Sequence, residues 1–151
     1  MSDLAEIQHA IAALPPRQKI LALEAEIAKL PSIEKFVRLN EFFAPGQYAR
    51  EFSLAAHPWG DERQSVVIGK IHRHAHVNVV SKGRCTVYTE DGFMEIQAPM
   101  TFVSSPGTKR VVLIHEDLVW TTIHSNPTDE TEMAKLEAEI IAPSYEALES
   151  L

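Results

Sequence analysis

The chain has 151 residues, 45% of them hydrophobic, and a formal net charge of −7. This length fits one domain with its own core. The negative charge and the lack of a basic patch argue against a nucleic-acid partner, and no apolar run is long enough to span a membrane. The start of the chain lacks a signal segment, and the single cysteine, Cys85, can form no internal disulfide, so we expect a cytoplasmic protein.

The first part of the chain has the pattern of helices. Ser2 can cap a helix that runs to Leu14, and a second helix is predicted over residues 17–30. A third is predicted from Pro31, with Ile33, Phe36, Val37 and Phe43 as its apolar residues. A small barrel would not cover the whole apolar stripe of the second helix, so we expect this helix to pack on a second subunit in a homodimer.

The middle of the chain is a series of short apolar segments separated by turns, which is typical of an antiparallel sandwich or barrel. Residues 90–92, Glu-Asp-Gly, are a strong hairpin signal. After residue 128 the pattern returns to helix and ends at Pro143. We therefore predict one mainly β structural domain in three parts: a helical extension over 1–46, a barrel over 47–126 and a helical tail over 127–151.

The segment GKIHRHAHVNVVSKG, residues 69–83, has three histidines at alternate positions. In a β-strand they share one face with Asn78, while the other face is apolar apart from Arg73. One interpretation places the apolar face inward and the histidines in water. The other is a metal site, since neutral imidazole is a common metal ligand. His72 and His76 would be about 13 Å apart in a straight strand, so a shared ion requires a bend near residues 73–75.

Two sequence patterns resemble the cupin superfamily, small antiparallel jelly-roll barrels. The first family motif is His-x-His, then a glutamate, then a glycine seven residues later. Here it corresponds to His72-Arg73-His74, His76 at the glutamate position, and Gly83. The second motif ends in a histidine, and Arg110 occupies that position. The overall pattern is most similar to cupin-like proteins of tailed bacteriophages and prophages.

The resemblance implies a jelly-roll barrel that holds a divalent metal ion, such as zinc, iron, nickel or manganese. The ligands would be His72, His74 and His76, with His124 replacing the missing family histidine. An exposed His124 is the alternative.

Arginine stays protonated and cannot bind a metal, so Arg110 would instead bind a carboxylate or phosphate. The ligand pocket would contain Arg110, Trp120 and Asn78. The alternatives are a surface or salt-bridged Arg110 and a Trp120 that belongs to the core.

The sequence therefore predicts a small metal-binding cupin with a polar pocket for a small-molecule ligand, with an anionic ligand favoured by Arg110. The alternative is a non-catalytic phage accessory or structural protein that uses the barrel as a scaffold, without metal. An enzyme needs an acid or base beside its reaction centre. No carboxylate falls on the presumed inner faces, so the sequence leaves open whether the protein is an enzyme.

Overall fold

The computed structural model describes residues 14–149, and the helix expected over residues 2–14 lies almost entirely outside this range. The described chain is mainly β, with three short helices. No helix within residues 14–149 has the length and apolarity needed to cross a membrane.

The helical elements are α1 (Pro16–Ile27), a 3₁₀ turn (Glu34–Phe36), α2 (Met133–Ile140) and α3 (Tyr145–Glu149). The strands are β1 (Val37–Ala44), β2 (Gly46–Leu54), β3 (Ser65–Ile68), β4 (Ile71–His72), β5 (His76–Lys82), β6 (Arg84–Thr89), β7 (Gly92–Gln97), β8 (Met100–Ser104), β9 (Val111–Ile114), β10 (Leu118–Asn126) and β11 (Ile141–Ala142).

Two antiparallel sheets form the body of the molecule. One has the strand order β1-β2-β10-β5-β8 and the other β3-β9-β6-β7. Each strand alternates between an inner and an outer face, so the apolar inner residues of both sheets meet in one core. Its most buried members are Val80, Cys85, Val87, Ile96, Ile114 and Leu118. The β6–β7 hairpin turns at Glu90 and Asp91, which confirms the turn predicted there.

The third predicted helix is wrong. Only Glu34–Phe36 is helical, in a single 3₁₀ turn, and residues 37–44 form the edge strand β1. Val37, Leu39 and Phe43 lie opposite the inward-facing residues of β2, so they follow the two-residue period of a strand. Eight residues of backbone pairing with β2 hold the segment extended.

Helix α1 packs on the four-stranded sheet through the apolar stripe identified in the sequence. Ile20, Leu23 and Ile27 are buried, and Leu23 and Ile27 form a cluster with Val111 of β9. The stripe is therefore covered within the chain and is not the surface on which a second subunit could pack. The homodimer itself stays a prediction.

Gly83 forms the sharp turn between β5 and β6. Its φ is +92°, and a Cβ atom at this position would lie 2.3 Å from the carbonyl oxygen of Asp117. Both the left-handed backbone and the close approach require glycine. Gly46 also has a positive φ, of +74°, but a Cβ atom there would meet nothing within 4 Å.

We expect Gly83→Ala to destabilise the fold more than Gly46→Ala. Both variants introduce strain of roughly 1–3 kcal/mol at a positive φ. Only the Gly83 variant adds a backbone clash. Urea denaturation of the two variants measures the difference, and equal losses in the free energy of unfolding would contradict the close contact.

Candidate metal centre and cavity

The histidine segment is not one continuous strand. β4 ends at His72, β5 begins at His76, and residues 73–75 form a bend between them. The imidazole rings of His72 and His76 consequently have centroids only 4.4 Å apart. The bend that a shared ion requires is therefore present.

His124 of β10 completes a group of three. Its ring centroid lies 4.8 Å from that of His76 and 5.4 Å from that of His72. One ring nitrogen from each of the three residues lies within 4.8 Å of the other two. β10 pairs with β5 with Ile123 opposite Val77, so His124 comes next to His76 on the inner face. His124 is 5% exposed, which differs from the alternative of a solvated residue.

The position of His74 differs from the prediction, which made it one of the metal ligands. His74 lies in the bend, is exposed, and does not belong to the group formed by the other three. The bend interrupts the alternation of a regular strand, so His74 no longer shares a face with His72 and His76.

The hydrogen bonds of the three rings leave at least one nitrogen of each ring free to bind a metal ion. Nδ1 of His72 lies 3.0 Å from the carbonyl oxygen of Lys70, and donation to that oxygen leaves the Nε2 lone pair unused. Nε2 of His124 lies 2.9 Å from Oγ1 of Thr122, which leaves Nδ1. Nε2 of His76 is buried and has no hydrogen-bond partner among the described residues.

All three imidazoles are neutral at neutral pH. Burial, together with the neighbouring His76, His124 and Arg110, lowers the pKa of His72 to about 3. Burial and Arg110 lower the pKa of His76 to about 4, and burial, His76 and Arg50 lower that of His124 to about 4. The neutral ring is the form that binds a metal ion.

The carboxy-terminal segment anchors His72. β11 pairs with β4, with Ile141 opposite His72, and the backbone N–H of Arg73 donates to the carbonyl of Ile140 over 2.7 Å. Nε of Arg73 donates to the carbonyl of Ile141 over 3.0 Å. This role of Arg73 was not predicted. The available signal was a lone arginine on an otherwise apolar strand face.

Next to the histidines, a cavity of about 450 Å³ opens between the sheets. Its wall includes His72, Arg110, Trp120 and Thr122, and the rest is largely apolar. Of the three residues predicted to bind a ligand, Arg110 and Trp120 line this cavity. Arg110 lies over the rings of Phe102 and Trp120, with centroid distances of 5.7 and 5.4 Å.

Asn78, the third predicted ligand-binding residue, is fully buried and is not part of the cavity wall. Its Oδ1 accepts a hydrogen bond from the indole N–H of Trp120 over 3.0 Å. Its Nδ2 donates to Oγ of Ser104 over 2.7 Å. Asn78 therefore fixes the orientation of Trp120 instead of facing the cavity, because its amide is already engaged on both sides.

The metal-free protein should lose stability in mild acid. The three histidines have pKa values of about 3 to 4 in the folded chain, against about 6.5 when unfolded. As the pH falls from 6.5 towards 4, the unfolded chain takes up protons that the folded chain does not. The free energy of unfolding then decreases, by at most about 1.4 kcal/mol per pH unit for each histidine.

Urea denaturation between pH 7 and 5 measures this slope, and His76→Gln should make it shallower. A free energy of unfolding that does not change over this range would contradict three buried neutral imidazoles.

Three solved structures share the fold. A cupin superfamily protein from Desulfitobacterium hafniense DCB-2 has a TM-score of 0.50 at 9% identity, over 65% of this chain and 84% of its own. Ectoine synthase from P. lautus has a TM-score of 0.52 at 9% identity, over 68% and 71%. Salicylate 1,2-dioxygenase from Pseudaminobacter salicylatoxidans has a TM-score of 0.54 at 11% identity, over 82% of this chain but only 34% of its own.

No protein-family model matches the chain, and no curated protein sequence matches it. At such low identities the structural likeness concerns the fold alone. The two antiparallel sheets and these neighbours together give the chain the jelly-roll fold of the cupins.

Proposed function

We propose that the protein is a small-molecule-binding cupin with a divalent metal ion held by His72, His76 and His124. The observation that carries this proposal is the buried Nε2 of His76, which has no partner among the described residues. An unsatisfied buried polar atom costs about 1–3 kcal/mol. A metal ion shared with the two neighbouring rings would satisfy it.

The donor set fits a transition metal. Neutral imidazoles suit zinc, copper, iron and nickel, and hard cations such as Mg²⁺ prefer oxygen ligands. Two nitrogens bound to one zinc ion are at most about 4.2 Å apart. The group spans up to 4.8 Å and would contract slightly on binding. Manganese, which the cupin resemblance also implies, is less suited to three nitrogens without a carboxylate.

The surrounding residues hold the rings for this role. The carbonyl of Lys70 fixes the His72 ring, and the hydroxyl of Thr122 fixes the His124 ring. Such outer contacts orient a metal-binding histidine, and a carbonyl acceptor also sets its tautomer. A bound divalent ion would supply a Lewis acid at the wall of the cavity. Arg110 would hold an anionic group of the ligand close to it.

The second candidate is the metal-free, non-catalytic scaffold, encoded by a tailed bacteriophage or prophage. One observation favours a non-catalytic role. Glu34 is the one carboxylate in the described cavity wall, and it lies at the exposed 3₁₀ turn. Among residues 14–149, no acid belongs to the histidine group that could serve as a general base.

We propose that the homodimer forms through the outer face of the five-stranded sheet. Phe42, Ala49, Ile123, Val77 and Val103 lie opposite one another on five consecutive strands and form one apolar row. Phe42 and Val103 are 53% and 68% exposed. A continuous apolar row on a sheet face is a surface that a second copy could cover by the same row.

The metal proposal predicts about one divalent ion per chain after reloading with zinc, iron(II) or nickel, measured by elemental analysis. His76→Ala should abolish tight binding, because it removes the buried nitrogen. His74→Ala is the matched control in the same segment. It should retain the ion, because His74 is exposed and outside the group.

A wild type that takes up no metal under these conditions would favour the scaffold. Loss of metal in His74→Ala with retention in His76→Ala would contradict the ligand set.

The dimer proposal predicts that Val103→Lys shifts the full chain towards monomer in sedimentation at micromolar concentration. Leu21→Lys is the control, since Leu21 is an exposed residue on α1, away from the row. A wild type that sediments as a monomer would contradict the proposal.

A further inference from the structure

The cavity wall has three cationic residues, and only one of them has no acidic partner. Nη2 of Arg50 lies 3.4 Å from Oε1 of Glu137, and Nζ of Lys70 lies 2.9 Å from the same oxygen. Among residues 14–149, no carboxylate forms a salt bridge with Arg110. Arg110 is therefore the cation of the cavity wall that has no carboxylate partner within the described chain.

Glu90 is the carboxylate whose charge acts on Arg110 from a distance, and its Oε1 is already occupied by two hydrogen bonds. Oε1 of Glu90 accepts hydrogen bonds from the hydroxyl of Tyr145 over 2.6 Å and from the backbone N–H of Lys109 over 2.9 Å. Burial lowers the pKa of Arg110 to about 10, and Glu90 opposes this only in part. The guanidinium is still charged at neutral pH, in a partly desolvated place.

Aromatic faces compensate for part of that cost. Phe102 and Trp120 lie against the Arg110 guanidinium, and the hydrogen bond from Trp120 to Asn78 keeps the indole in position. Rings attract a cation through their faces but cannot satisfy its N–H groups. The N–H donors of the guanidinium remain available, and their planar arrangement suits a carboxylate.

The remainder of the cavity determines what the carboxylate is attached to. The wall beyond Arg110 and His72 includes Val37, Leu39, Phe52, Leu54, Val67 and Val112. Apolar side chains gain free energy when they contact an apolar ligand body, and they lose it when they desolvate hydroxyl or phosphate groups. The sequence predicted a polar pocket, and the wall is instead largely apolar.

We infer that the ligand of this cavity is a monocarboxylate with an apolar body, its carboxylate on Arg110 and its body against the aliphatic wall. This inference names the ligand class for the proposed function and rests on that function for its biological meaning. Sugars and small phosphates are the classes that the same wall disfavours.

Calorimetry with the full chain tests the inference, using hexanoate as the probe. Hexan-1-ol lacks the charge, acetate lacks the apolar body, and inorganic phosphate lacks both the body and the planar carboxylate. We expect hexanoate to bind at least about tenfold more tightly than each of the other three. If acetate or phosphate binds as tightly as hexanoate or more tightly, the inference that the ligand has an apolar body is overturned. If hexanoate does not bind, the inferred ligand class is overturned.

Two variants separate the contributions of head and body. Arg110→Gln should weaken hexanoate about tenfold or more and leave hexan-1-ol nearly unchanged. Leu39→Ser should weaken hexanoate but not acetate, and Leu39 is exposed enough for the variant to fold.

Arg63→Gln is the control, because Arg63 also lies over an indole ring, that of Trp59 at 4.9 Å, but is exposed and paired with Asp61. Hexanoate binding that Arg110→Gln leaves unchanged would overturn the inference.

The titrations are run on both metal-free and metal-loaded protein. Arg110 lies outside the histidine group, so the metal-free chain should still distinguish hexanoate from hexan-1-ol. Hexanoate binding without metal uptake would support this ligand class while contradicting the metal centre. Metal uptake without hexanoate binding would contradict the ligand class alone.

Discussion

The site depends on the interruption of one strand between His72 and His76. In a regular strand these two imidazoles would lie too far apart to meet, and His74 would lie between them on the same face. The bend at residues 73–75 brings the outer pair together and leaves the middle residue in solvent. Next to the bend, β11 pairs with β4 and accepts a hydrogen bond from Nε of Arg73, which holds the interrupted segment in place.

The charged residues of the cavity wall are unequally paired. Two of the three cations in its wall, Arg50 and Lys70, share one carboxylate partner, Glu137. The histidine group stays neutral, and Arg110 stays charged with only aromatic rings beside it. The cavity therefore has a net positive wall inside a chain whose overall charge is −7. That polarity suits an anionic ligand.

Much of the fold could be predicted from the sequence because its signals are local. Each of these signals depends on residues only a few positions apart, as in the hairpin at Glu90–Gly92, the turn at Gly83 and the alternating apolar residues of the strands. The third helix failed for the same reason. Val37, Leu39 and Phe43 are compatible with more than one period over so short a segment, and only the pairing with β2 selects the strand.

The site was less predictable because it depends on contacts that are distant in sequence. Spacing alone predicted that a bend was required, but it could not show that His74 would be the residue turned outward. The sequence offered His124 only as a replacement for the missing family histidine, and the register of β10 on β5 is what brings it beside His76. Asn78 shares the inner face with His76, and only the position of Trp120 shows that its amide is engaged.

The pairing of β4 with β11 also has a consequence for how the protein folds. His72 and Ile141 are neighbours in the fold although almost half the chain lies between them in sequence. The five-stranded sheet has the same dependence, since Leu118 of β10 lies opposite Leu54 of β2. Each of these pairings requires a large loop to close, which makes folding slow. The three imidazoles therefore come together only after segments from both halves of the chain have met.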